Sequence, residues 1–120
     1  MRISEELRER TKRYASAVIR FYSDAPVKRR EVDVLAHQLL RAGTSVAAHV
    51  REGSRARSDA EFCSKLDTAL QEADEAQLWL ELLRDDCRIT GVTIDSLLRE
   101  TNELISIIVT IIDRTKRRAA

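Results

Sequence analysis

Apolar residues recur along this chain at steps of three and four over four long stretches, the spacing that lines them up on one face of an α-helix. The first stretch, residues 4–23, sets Leu7, Thr11, Tyr14, Val18 and Phe21 on one line. Ser-Asp-Ala-Pro at 23–26 ends it, because proline lacks an amide proton and disfavours helix in the residue before it. The second, residues 31–53, turns Leu35, Leu39, Ala42, Val46 and His49 or Val50 inward, while Gly43, Ala47 and Ala48 keep part of its surface thin enough for a neighbouring helix to come close. A short basic hinge at 53–57 closes it. Ser58-Asp-Ala-Glu61 then matches a capping box, in which the serine side chain accepts a hydrogen bond from a free backbone amide and the glutamate reaches back.

The third stretch is the most regular, with Phe62, Leu66, Ala69, Ala73, Ala76, Leu80 and Leu83 in an unbroken heptad that suits near-parallel neighbours. Residues 85–91 read as a loop. The fourth stretch starts near Thr93 and carries two stripes: Leu97, Thr101, Leu104, Ile108 and Ile111, then Ile94, Leu98, Ile105, Val109 and Ile112. Two stripes exceed what one bundle core needs, so the pattern predicts a second surface to bury. The last residues, RTKRRAA from Arg114 to Ala120, read as a fraying basic tail. Short connections set consecutive helices antiparallel, which predicts an all-α fold, an antiparallel up-down-up-down four-helix bundle forming a single domain over residues 1–120.

Composition sharpens this in two ways. With three Gly, one Pro and a 34% charged share, the 120 residues favour long helices and are numerous enough to bury a core without disulfides or a structural metal. Lys and Arg number 21 against 20 Asp and Glu, so the net charge of +1 gives no overall pull towards nucleic acid or membrane, and any anion site must come from local clustering. Cys63 and Cys87 lack the spacing of a disulfide framework or a zinc motif and read as ordinary thiols of a reducing compartment. The charged start MRISEELRERTKR predicts no export signal, and the most apolar run, 104–112, is far short of the roughly 20 residues a membrane span needs. A cytoplasmic protein with no membrane contact is expected.

Candidate chemistry is sparse. Arg41, Ser45 and Glu52 share one line of the second helix, and Lys65, Glu72 and Trp79 repeat every seven residues on the third, with Glu75 beside them. A catalytic array would need a nucleophile or metal and a pocket as well, so these seven read as a polar network at the core edge or across a subunit contact, and no catalytic residue is expected. A di-metal bundle site needs Glu-x-x-His pairs, but His37 follows Val34 and His49 follows Val46, so no metal and no cofactor is expected. Basic residues cluster at Lys12–Arg13, at Lys28–Arg30, at Arg51, Arg55 and Arg57, and at Arg114, Lys116, Arg117 and Arg118. The last two groups fall at one end of an antiparallel bundle and are the candidate phosphate contacts, although cations also suit a helix C-terminus for its own sake. With no Phe or Tyr among them, backbone contact with structured RNA or duplex DNA is expected rather than stacking on single strands.

Several runs carry a resemblance: Arg41-x-Gly43-Thr44-Ser45-Val46, Arg51-Glu52, Ala56-x-Ser58-x-x-Glu61-Phe62-x-x-Lys65-Leu66, and Glu72-Ala73-Asp74-Glu75 leading to Trp79-Leu80-Glu81-Leu82-Leu83. Over nearly the whole chain they resemble the bacterial four-helix bundle proteins encoded in intervening sequences of large-subunit ribosomal RNA genes, and their relatives, the accessory variability proteins of diversity-generating retroelements. That resemblance implies a four-helix protomer, a homo-oligomer in the form of a five-membered ring, and no enzyme activity. For the retroelement relatives it also implies binding to nucleic acid and to a reverse transcriptase through a basic surface. This chain has His49-Val50 where Asn-Tyr is common, and Gly53 where another small residue is common. The expectation is a non-enzymatic homo-oligomer contacting structured RNA or DNA through basic poles; the near-neutral charge leaves a protein-partner adaptor without nucleic-acid affinity as the alternative.

Overall fold

The computed structural model describes residues 5–119. Four helices follow one another, α1 (Glu5–Asp24), α2 (Arg30–Ser54), α3 (Asp59–Asp85) and α4 (Val92–Ala119), and their lengths make a rod of 49 × 21 × 20 Å. Sequential helices pack as antiparallel neighbours, and α1 closes the bundle against α4 with the sparsest contact of the four pairs. The all-α up-down-up-down bundle is therefore the fold.

Local chemistry places the ends. The Ser58 hydroxyl accepts from the Glu61 amide at 3.0 Å, starting α3 where the capping box predicts. At the opposite end Arg29 donates to the Cys87 carbonyl at 2.9 Å and lies 2.9 Å from the Glu31 carboxylate, tying the α1–α2 turn to the α3–α4 loop. One cation of the Lys28–Arg30 cluster is thus occupied structurally. That loop reverses through Arg88 and Gly91, both at positive φ.

Every apolar position expected on α1 and α3 is buried. On α2 the core face is Val32, Ala36, Leu39, Ala42, Gly43, Val46 and Val50, with Leu35 and His49 only half-buried beside it. Gly43 meets α1: a Cβ there would sit 2.9 Å from Val18 Cγ2. Ala47 and Ala48, expected to serve the same close approach, instead line an open cleft against α1.

Two expectations for α4 need correction. The doubled stripe splits unevenly: Ile94, Leu97, Leu98, Thr101, Leu104, Ile108, Ile112 and Thr115 are buried, Ile105 and Ile111 are half-buried, and Val109 is 46% exposed. At 100° per residue Leu104, Ile108 and Ile112 fan across one face together with Leu97, Thr101 and Thr115, whereas Ile111 falls at its edge, so the core face lies between the two expected stripes. Secondly, residues 114–119 do not fray. Thr115 is buried and donates to the Ile111 carbonyl at 2.8 Å, Arg117 pairs with Asp113 one turn back, and the start of α3 offers a surface to pack on.

The thin α1–α4 seam is held by polar contacts that sequence reasoning missed. Arg10 grips Glu100 with two bonds of 2.8 Å and reaches Glu103 at 2.7 Å, and these carboxylates hold its guanidinium more firmly charged than usual. Four residues further along α1, the Tyr14 hydroxyl lies 2.7 Å from Thr101 Oγ1, which in turn donates to the Leu97 carbonyl at 2.6 Å. Burial pushes the Tyr14 hydroxyl up to about 12. Polar groups on a core stripe demand partners, and that demand was the available signal.

Candidate functional site

The midsection of the bundle carries charge that is already matched. Arg41 on α2 bridges Glu72 at 3.2 Å and Glu75 at 3.0 Å on α3, and nearer the α2–α3 hinge Lys65 meets Glu52 at 3.1 Å. The Lys65 hydrogen bond and charge hold the Glu52 carboxyl below the usual range. Ser45 lies between the two pairs, and its carbonyl lies 2.8 Å from His49 Nδ1. Trp79 is half-buried against the core with its indole N–H enclosed and without a partner among the described residues. Of the seven residues of the expected polar network, the structure thus joins Arg41 to Glu72 and Glu75, joins Glu52 to Lys65, and leaves Ser45 and Trp79 beside them.

These pairs are at least partly solvent-exposed, with Arg41 at 50% and Lys65 at 40%, so water screens them and they add little to stability. They set helix register more than stability. His37 stacks edge-on to Tyr22 at 6.3 Å between centroids, which places both histidines in contacts on the rim of the bundle. Among the described residues no group of three His, Cys, Asp or Glu side chains could hold a metal ion. Cys63 near the start of α3 and Cys87 just past its end are free and buried, with about 30 Å of helix between them.

The end of the bundle where α2 and α4 finish and α1 and α3 begin has a different character. Arg51, Arg55, Arg114, Lys116 and Arg118 are exposed there and make no ion pair among the described residues. Arg57 differs, lying 3.5 Å from Glu61, and Arg117 is paired with Asp113. Lys116 borders a groove with Asp59 and Cys63, which fixes the end of α4 beside the start of α3. Across the bundle, Arg51 and Arg55 border a cleft of about 420 Å³ with Arg8 and Lys12 of α1.

Arg8 was absent from the sequence-based candidates, and Lys12 stood only in a separate cluster. A one-turn repeat of cations on α1, Arg8 and Lys12, was the available signal. What the arrangement can do chemically is bind anions: it offers guanidinium forks and ammonium groups with few carboxylates left to satisfy them.

No described helix is long and apolar enough to cross a membrane. The sequence model of the 23S rRNA-intervening sequence protein family matches residues 5–110. A crystal structure of a protein with unknown function from the S23 ribosomal protein family of Bacteroides thetaiotaomicron is similar, with a TM-score of 0.79 and 33% identity over 88% of this chain and 96% of that one. No curated protein matches.

Proposed function

We propose, from the premise that the chain belongs to the 23S rRNA-intervening sequence protein family, that it is a non-enzymatic cytoplasmic module that assembles with copies of itself and contacts structured RNA or duplex DNA. The observation that carries this reading is the set of unpaired cations at one end of the bundle: Arg51, Arg55, Arg114, Lys116 and Arg118. Phosphate neutralised by such groups releases counterions, which makes binding favourable and salt-dependent. Assembly is supported by Ile19, Val34, Leu78 and Val109, which are each about half exposed on the flanks of the rod. A closed ring, five-membered as the resemblance implies, would repeat the basic end in every subunit and multiply a modest patch by avidity.

The test is titration of a structured RNA and a duplex DNA at two salt concentrations, with light scattering on the same sample. Salt-sensitive binding by an oligomer is expected. A monomer at micromolar concentration would remove the assembly, and no binding at low salt would remove the nucleic-acid contact. The second outcome would favour an adaptor for a protein partner, the reading supported by the exposed apolar flanks and the near-neutral charge.

A further inference from the structure

The cleft between the start of α1 and the end of α2 differs from the rest of the basic end in being built, not merely charged. Ala15, Ala47 and Ala48 have nothing beyond Cβ, so the space between the two helices stays empty where longer side chains would fill it. Arg8 and Lys12 border this space from one helix, Arg51 and Arg55 from the other. The one carboxylate in the lining, Glu52, is drawn off by Lys65 at 3.1 Å. Four cations therefore face one cleft with no ion pair among the described residues, an arrangement that each one's charge makes costly for the others.

Arg8 adds a second observation. Its Nε is shut off from solvent and has no hydrogen-bond partner among the described residues. A buried N–H left unmade costs about 1–3 kcal/mol, so turning it towards an incoming acceptor sacrifices no bond already formed.

We infer that this cleft is a phosphate-binding site, in which Arg8, Lys12, Arg51 and Arg55 surround a phosphoryl group of a nucleic-acid backbone. A tetrahedral phosphate presents oxygens in several directions and suits cations arriving from two helices, whereas a planar carboxylate is met by a single guanidinium fork. At about 420 Å³ and open on one side, the cleft has room for the sugar-phosphate chain to continue past the bound group. Its lining holds no aromatic ring, so bases find no stacking platform there and recognition is of the backbone. The inference rests on the proposed nucleic-acid contact for the source of the phosphate, and moves its centre from the α4 terminus to the α1–α2 cleft.

The test compares the full chain with Arg8→Gln, with Lys12→Gln, whose side chain is exposed, and with the pair Arg114→Gln and Arg118→Gln. Each is titrated with a duplex RNA at two salt concentrations, and the unsubstituted chain also with inorganic pyrophosphate. Loss of about tenfold in affinity for Arg8→Gln and for Lys12→Gln, with the slope of log K against log salt falling by about 1 each, is the expected result. Unchanged affinity and slope in both cleft variants, with loss in the α4 pair, would overturn the cleft while leaving the nucleic-acid reading in place. Pyrophosphate binding that needs Arg8 and Lys12, with no RNA binding, would keep the phosphate site and reject the nucleic acid as its source. Binding of neither probe by the unsubstituted chain would overturn both.

Discussion

Gly43→Ala sets two effects of similar size against each other, and the geometry decides between them. In the interior of α2, alanine gains about 1 kcal/mol over glycine from helix propensity alone. Against this, the new Cβ would lie 2.9 Å from Val18 Cγ2, 3.1 Å from Cγ1 and 3.3 Å from Cβ. Favourable carbon contacts begin near 3.5 Å, so α1 and α2 must part by about half an ångström. Val18 has no exposed surface to move into, its branched side chain holds one rotamer in a helix, and rotation would leave its own Cβ in place. Overpacking of this kind costs about 1–3 kcal/mol, which outweighs the propensity gain and leaves the variant roughly 1 kcal/mol less stable. Repeating Gly43→Ala in a Val18→Ala background removes both close methyls, so the same substitution there becomes stabilising by about 1 kcal/mol, a coupling near 2 kcal/mol. Urea unfolding followed by helical circular dichroism measures all four proteins, at one protein concentration because self-association would shift apparent stability. A Gly43→Ala variant that is more stable in both backgrounds, by the same amount, would refute the close approach.

The Tyr14–Thr101 bond gives an asymmetric pair: Tyr14→Phe costs about 1 kcal/mol because Thr101 keeps its bond to the Leu97 carbonyl, whereas Thr101→Val strands a buried phenol and costs more, about 1–3 kcal/mol, with the double variant recovering part of that in thermal melts. With a folded value of about 12 against 10.0 for a free phenol, Tyr14 contributes stability that is complete below pH 10 and lost as pH rises towards 12, roughly 3 kcal/mol in all. Unfolding free energies measured across that window should fall less steeply in Tyr14→Phe, and parallel curves would contradict the burial. Ser58→Ala removes the α3 cap and should lower unfolding free energy by about 1 kcal/mol without changing helix content at low denaturant.

How legible the fold was depended on how much choice each helix left open. On α3 an unbroken heptad sets Phe62, Leu66, Ala69, Ala73, Ala76, Leu80 and Leu83 on one line, and all seven are buried although Leu70, Leu78, Trp79 and Leu82 lie off it. On α4 apolar residues spread over a wide arc, and the choice between Ile111 and Ile112 was made by where the partner helices sit, which no local pattern records. Tyr14 and Thr101 were readable as core positions one by one. Their pairing was not, because 87 residues separate them and only the closure of α1 on α4 brings them together. The cleft was hidden for the same reason: Arg8 and Lys12 belong to an ordinary exposed turn of α1 until Arg51 and Arg55 come to face them across three alanines.

The near-neutral net charge, which weighed against nucleic acid in the sequence, carries less weight once the charges are placed. Glu52, Glu72, Glu75 and Glu100 are held by Lys65, Arg41 and Arg10 along the helix flanks, where each pair cancels locally. The sum of +1 counts those matched pairs together with the cations of the bundle end. At physiological salt the Debye length is about 8 Å, whereas the rod is 49 Å long, so a phosphate at that end is screened from most of the acidic residues in the sum. It meets Arg8, Lys12, Arg51 and Arg55 instead, with the one carboxylate lining their cleft already bound to Lys65. Local field, not total charge, sets the affinity of such a site, and its steep salt dependence would distinguish it from an apolar protein contact, whose binding changes little with ionic strength.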